Sequence, residues 1–235
     1  MSWSFRFGQI RGIELRIHVT FVLILVWGAY YWGNIADDTS RGALFGIVAT
    51  LFLFLCVLLH ELGHAYTATR YGVRVAHMGV SLVVLFPLLY TDTSESWKLT
   101  DRRQRLAIVA AGMLTEIAVA GIATLAWSLV DDGPLRSALF FLATTSWVLS
   151  LGVNASPFMR FDGYFLLSDM LDLPNLHARS SALARAFLRR HLLGWREAAA
   201  ESLPPRLAGF LVAFALVTWA YRLMVFLAIA LLVFL

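Results

Sequence analysis

The sequence predicts an all-α polytopic membrane protein of about five to six transmembrane helices with a short membrane-associated β-hairpin or re-entrant segment. Three observations predict it. Of 235 residues, 60% are hydrophobic and only 14% charged, where soluble domains average about 45–50% apolar and about 25% charged. Apolar runs near the length of about 20 residues that a span requires recur along the chain. Sixteen of the 19 Lys and Arg residues fall in alternate connections between those runs.

Ser4 to His18 alternates polar and apolar residues and reads as a short strand or interfacial arm. Ile17 to Tyr31 supplies a marginal first helix, lengthened by the interfacial aromatics Trp27, Tyr30, Tyr31 and Trp32. Ala43 to Thr69 is a strong second helix. Val73 to Tyr90, apolar but interrupted by Pro87, is too short to cross. It suits a strand pair or re-entrant loop, tolerated at membrane depth only under protein or beside a water-filled cavity. An exposed strand edge there could pair with an extended peptide, or the segment could merely pack. Leu106 to Val130 forms the third helix, and Leu135 to Val153 the fourth, ending at Asn154 and Pro157. Residues 207–235 hold at least a fifth, interrupted by Arg222, and the absence of a polar flank at Phe234-Leu235 reads as a trimmed chain or a fragment of a longer one. Between them, Arg179 to Trp195 places Leu, Phe and Arg on alternating helical faces. That pattern fits an amphipathic helix on the cytoplasmic leaflet or a simple linker helix. The expected organisation is a core over 1–173, a cytoplasmic linker over 174–206 and a C-terminal transmembrane segment over 207–235.

Charge sets orientation. The N-terminal arm, the connection after helix two and the segment after helix four carry the sixteen basic residues. The opposite loops hold only Arg41 and Arg136, beside Asp37-Asp38 and Asp131-Asp132. The positive-inside rule therefore puts the N-terminus and both long loops in the cytoplasm. The net charge of +4 reflects loops facing anionic lipid, and nothing resembles a nucleic-acid motif. Cys56 is the only cysteine, which excludes a disulfide framework and a thiolate zinc site. The N-terminus lacks the apolar core and cleavage site of a secretory signal, so the first apolar segment reads as a retained anchor.

Within the second span lies His60-Glu61-Leu62-Gly63-His64. Histidines at i and i+4 project from one helix face, one turn apart, and two neutral imidazoles there can bind one Zn²⁺. The intervening glutamate is placed to deprotonate an activated water. From 6 histidines and 6 glutamates, chance would produce this pattern only about 0.004 times in the chain. Such groups are expensive in hydrocarbon, which argues against two histidines that merely satisfy neighbouring helices. A zinc site needs a third protein ligand, and Asp162 is the candidate. Helix four delivers it to the same side as helix two, and the break at Asn154 and Pro157 lets the chain fold back to the depth of Glu61, about 14 Å from the cytoplasmic end. Taken alone, Asp162 would instead read as the N-cap of a short helix over Tyr164–Met170. Glu116 sits at a similar depth in helix three, about 15 Å in. It reads either as the partner that orients a ligating histidine or as one end of a helix–helix hydrogen bond. His18, His77, His177 and His191 lack partnered spacing and read as interfacial.

The pair of motifs, His60-Glu61-Leu62-Gly63-His64 and Asn154-x-x-Pro157-x-x-x-x-Asp162-Gly163, resembles the site-2 protease family of intramembrane zinc metalloproteases. The similarity runs from about Gly12 to about Leu173. It implies that His60, His64 and Asp162 ligate zinc and that Glu61 is the general base. It implies further that Asn154 supports the substrate strand or the oxyanion. The cofactor would be Zn2+, the partners a transmembrane protein or peptide substrate and the lipid bilayer, and the activity regulated intramembrane proteolysis near the cytoplasmic face of a prokaryotic cell membrane. Phe86-Pro87 replaces the glycine pair of many members, and Ala111-Gly112-Met113 replaces Ala-Gly-Pro. Phe161-Asp162-Gly163-Tyr164 and the later Pro174-Asn175-Leu176 look more like a branch attached to secretion or efflux modules. The competing reading is a non-proteolytic metal-binding membrane scaffold or export-system subunit, which would have no need to keep Glu61. A metal-ion transporter would line several spans with polar residues, and beyond Glu116 and Arg222 the spans offer few.

Overall fold

The computed structural model describes residues 4–10, 13–19, 21–75, 77–83, 86–195 and 203–234. Gly12, the Val84-Leu85 step of the predicted hairpin and residues 196–202 of the predicted linker lie outside that set. The chain forms two compact units, Met1–Ala155 and Ser156–Leu235.

The first unit opens with strands β1 (Ser4–Ile10) and β2 (Ile13–His18), antiparallel from Ser4 opposite His18 to Ile10 opposite Ile13. Helices α1 (Phe21–Ile35) and α2 (Thr39–Arg70) follow. They return the chain to β3 (His77–Val83), which pairs parallel to β2 with Glu14 opposite His77. A parallel pairing needs such a long crossover. Strand β4 (Phe86–Thr91) closes the hairpin on β3, with Met78 opposite Thr91, and stands at the edge of the order β1-β2-β3-β4. The alternating arm and the Val73–Tyr90 segment thus join one small sheet, a long-range pairing that alternation alone does not specify.

Helix α1 has 15 residues, about 22 Å of rise, short of a hydrocarbon core of about 30 Å. It packs along α2 through glycines. A β-carbon on Gly28 would lie 2.6 Å from Thr50 Oγ1 and 3.1 Å from the Gly46 carbonyl oxygen, and one on Gly46 would strike the Gly28 carbonyl. Small residues let helix backbones approach where lipid supplies no hydrophobic drive. Asp38 starts α2 by accepting from the Ser40 and Arg41 backbone N–H groups at 2.9 and 3.1 Å, satisfying donors the first turn leaves unpaired.

A 3-10 turn at Ser94–Lys98 leads to α3 (Arg102–Leu129), capped by Asp101 on Arg103 N at 2.8 Å. Helix α4 (Pro134–Trp147) begins with Pro134, whose missing N–H is no loss in a first turn, and runs into a π-helical stretch over Val148–Asn154. Ala65, Ala68, Val73, Val75, Met78 and Ile108 form the buried cluster that joins α2 and α3 to the sheet. Among the described residues, four helical stretches are long and apolar enough to cross a membrane: Thr39–Arg70, Arg102–Leu129, Pro134–Asn154 and Pro205–Leu231. The shorter apolar α1 joins them, for a helical membrane protein with a small strand element.

In the second unit, α5 (Asp162–Leu171), α6 (Leu176–Leu193) and α7 (Pro205–Phe234) surround a core of Tyr164, Leu173, Leu176, Leu211 and Phe214. Helix α6 packs on α7, so its buried residues Leu176, His177, Ser180 and Ala184 face protein.

Candidate metal centre

His60, Glu61 and His64 project from the middle of α2. The two histidines are 5% and 9% exposed, while Glu61 is half-buried. His64 Nδ1 lies 2.7 Å from the backbone carbonyl oxygen of Ile108. A carbonyl only accepts, so His64 carries its proton on Nδ1 and presents a lone pair at Nε2. His60 Nδ1 faces Glu116 Oε1 at 3.3 Å, and a carboxylate there favours the same tautomer. The two Nε2 atoms then meet at 3.0 Å. Two inward lone pairs at that distance can be joined by a shared cation. Nitrogens bound at about 2.0–2.1 Å to one tetrahedral Zn²⁺ would lie about 3.4 Å apart, near what is seen.

The space for those nitrogens comes from α3. A β-carbon on Gly112 would lie 2.5 Å from His60 Nε2 and 2.6 Å from His60 Cε1, and would also strike His64 Nε2. Ile108, Gly112 and Glu116 are spaced i, i+4 and i+8, on one helix face. One position supplies the acceptor for His64, the next the clearance, and the third the carboxylate for His60. On α2, a β-carbon on Gly63 would lie 2.8 Å from the Ala111 carbonyl oxygen, so glycines on both helices allow this crossing.

Glu116 is 2% exposed, a carboxylate that must find donors. Asn154 Nδ2 donates to its Oε2 at 3.0 Å and Oε1 at 3.3 Å, and also lies 3.4 Å from His60 Nδ1. Four sequence-predicted residues, His60, His64, Glu116 and Asn154, thus meet within the first unit. The backbone carbonyl of Glu61 accepts from Thr91 Oγ1 at 3.1 Å, which ties the end of β4 to the motif.

Asp162 belongs to the second unit, where it is half-buried and the first residue of α5. Phe161, in extended conformation, occupies the cap position, so Asp162 stands one residue inside the helix rather than at its cap. His177 corrects the interfacial reading. It is 6% exposed and enclosed by Tyr164, Phe214 and Arg222, contacts made 13 to 45 residues away that its local spacing does not announce. His191 is exposed and His77 is half-buried beside Asp92 at 3.9 Å. Gly112, named in sequence only within Ala111-Gly112-Met113, and the Ile108 carbonyl were not among the predicted site residues. The signal was a glycine one turn before a mid-span glutamate.

Comparison with known proteins places these features. The family described as peptidase family M50 matches residues 48–147, which include the His-Glu-x-x-His helix, Gly112 and Glu116. A zinc metalloprotease of Methanocaldococcus jannaschii is 28% identical over 186 residues, 78% of this chain and 50% of the relative. A protein of Bacillus subtilis named as a peptide zinc metalloprotease is 26% identical over 128 residues, 54% of this chain and 49% of that one. The chain thus spans about half the length of these two relatives. A solved structure of a site-2 protease from M. jannaschii shares the fold, with TM-score 0.53 and 23% identity over 92% of both chains.

Proposed function

We propose that the chain is a member of the site-2 protease family and an intramembrane zinc endopeptidase that cleaves transmembrane segments of other proteins near the cytoplasmic face. The observation that carries the reading is the convergence of two imidazole lone pairs on a clearance kept open by Gly112, with Glu61 between them in sequence. His60 and His64 supply two ligands in this reading, and Asp162, from the second motif, supplies the third. Two nitrogens and a carboxylate suit zinc and leave one position open. When bound, zinc supplies Lewis acidity that polarises a carbonyl and activates water.

The remaining steps belong to this chain's own side chains. Glu61 takes the proton of the attacking water and passes it to the departing amine. Glu116 holds His60 in the tautomer that presents Nε2, and the Ile108 carbonyl does the same for His64. The amide nitrogen of Asn154 is directed at Glu116. What Asn154 has left for a substrate is its carbonyl oxygen, an acceptor for a backbone N–H of an extended strand. A transmembrane helix keeps its carbonyls hydrogen-bonded, so the substrate must unwind before attack. Strand β4, at the sheet edge and tied to Glu61 through Thr91, offers the backbone partners for the unwound stretch. The bias of basic residues supports an N-terminus in the cytoplasm, so water and site would share that side.

The test is zinc content and cleavage together, in purified protein reconstituted with a model transmembrane peptide. Wild type is expected to hold one zinc and cleave, and His60→Ala and Asp162→Ala to do neither. Wild type that holds zinc but cleaves no membrane-embedded peptide would instead make the chain a metal-binding scaffold.

A further inference from the structure

The C-terminal helix carries an arginine, Arg222, deep in an otherwise apolar sequence, and an intramembrane cation is expensive unless it has partners and a task. Its partners are specific. Arg222 Nε donates to the Phe158 carbonyl oxygen at 3.1 Å, and its terminal nitrogen donates to His177 Nδ1 at 3.0 Å. His177 Nε2 in turn donates to the Pro157 carbonyl oxygen at 3.1 Å. Nδ1 must accept for this pattern to hold, so His177 has to be neutral. Burial pushes its pKa down, against the Pro157 hydrogen bond that raises it, and the positive charges of Arg222 and Arg160 push it down further.

The two carbonyls gripped in this way belong to the turn just before Asp162. On the other side of Asp162, Tyr164 is held by the same histidine. The two rings lie 4.1 Å apart, and the Tyr164 hydroxyl accepts from the His177 backbone N–H at 3.5 Å. Phe158 also packs on Tyr221 and Phe214 of α7, at ring separations of 5.2 and 6.0 Å. Residues 157–164 are thus clamped both before and after the carboxylate. Their grip comes from α6 and α7, outside both motifs.

We infer that Arg222 and His177 are positioning residues whose hydrogen bonds to the Pro157–Phe158 turn hold the segment bearing Asp162 in the conformation that ligates the metal. The inference rests on Asp162 being a ligand. It makes α7 part of the active unit, though it carries no ligand and no base. Loss of supporting partners around metal ligands lowers affinity about 10–100-fold, and loss of the clamp is expected to fall in that range.

The test compares Arg222→Met, His177→Phe and His177→Gln in the full chain. Gln can donate to Pro157 and accept from Arg222, whereas Phe keeps the stacking against Tyr164 and Phe214 and loses both hydrogen bonds. Zinc affinity is read by chelator competition, and order of the segment by hydrogen exchange of amides 156–163 in metal-free protein. Arg222→Met and His177→Phe are expected to lose about tenfold or more in zinc affinity and to exchange faster over 156–163, with His177→Gln restoring both. If His177→Phe binds zinc as wild type does while Asp162→Ala loses it, the clamp is wrong and the ligand assignment stands. If Asp162→Ala binds zinc as wild type does, the ligand assignment fails first and the clamp with it. Should Arg222→Met fail to fold, the Phe and Gln pair at position 177 decides.

Discussion

Substituting Gly112 by alanine adds one methyl group at the point where the two imidazoles converge. Its β-carbon would lie 2.5 Å from His60 Nε2 and 2.6 Å from His60 Cε1. Carbon contacts are comfortable from about 3.5 Å, so the ring must retreat by about 1 Å. Metal–ligand distances hold within about 0.2 Å, so a retreat of that size breaks the bond to one ligand. The expected loss of zinc affinity is about 100-fold or more, equivalent to about 2.7 kcal/mol. The metal-free protein responds differently. Alanine favours the helix by about 0.8–1.0 kcal/mol over glycine, while overpacking costs about 1–3 kcal/mol. The net change is a loss of between about 0 and 2 kcal/mol. The assay is chelator competition for zinc alongside thermal unfolding of apo protein in detergent. A Gly112→Ala protein with wild-type zinc affinity would refute the proposed geometry of the two histidines.

Two other predictions concern neighbouring charges. Glu116→Gln keeps the size of the side chain but removes the carboxylate facing His60 Nδ1, and is expected to weaken zinc binding about tenfold and reduce cleavage with it. Unchanged zinc content and unchanged cleavage would reduce Glu116 to a helix–helix hydrogen bond with Asn154. For His177, the depressed pKa fixes the sign of a pH dependence. Above about pH 6.5 the folded and unfolded states are both neutral at this residue; below it the unfolded chain takes up a proton that the fold resists. Stability therefore falls as pH drops from about 6.5 toward the folded value, and His177→Gln should flatten that part of a melting profile recorded between pH 8 and 5.

The spans and the His-Glu-x-x-His helix were legible because they depend on local signals: apolar length, helical spacing and the expense of polar groups in lipid. Boundaries moved where caps decided them, with α2 beginning at Thr39 behind Asp38 rather than at Ala43. Alternation pointed to strands at both ends of the sheet, yet the parallel pairing of Glu14 with His77 joins segments more than sixty residues apart. No local pattern encodes that register. The roles of Gly112 and His177 were hidden for a related reason. A glycine in a span is unremarkable until the atoms facing it are known, and a lone histidine reads as interfacial until Arg222, 45 residues later, is found beside it. Helical rise put Glu116 level with the His60 turn, but that it contacts His60 and Asn154, from other elements, is not written in its own helix.

The central claim is that Glu61 activates water at a metal held by its neighbours. The most direct measurement is Glu61→Gln beside wild type, reconstituted in liposomes with a model transmembrane substrate, with bound zinc and cleaved product quantified in one sample. Retained zinc and no detectable product in the variant, with product from wild type, is the predicted result. Cleavage by the variant at the wild-type rate would contradict it.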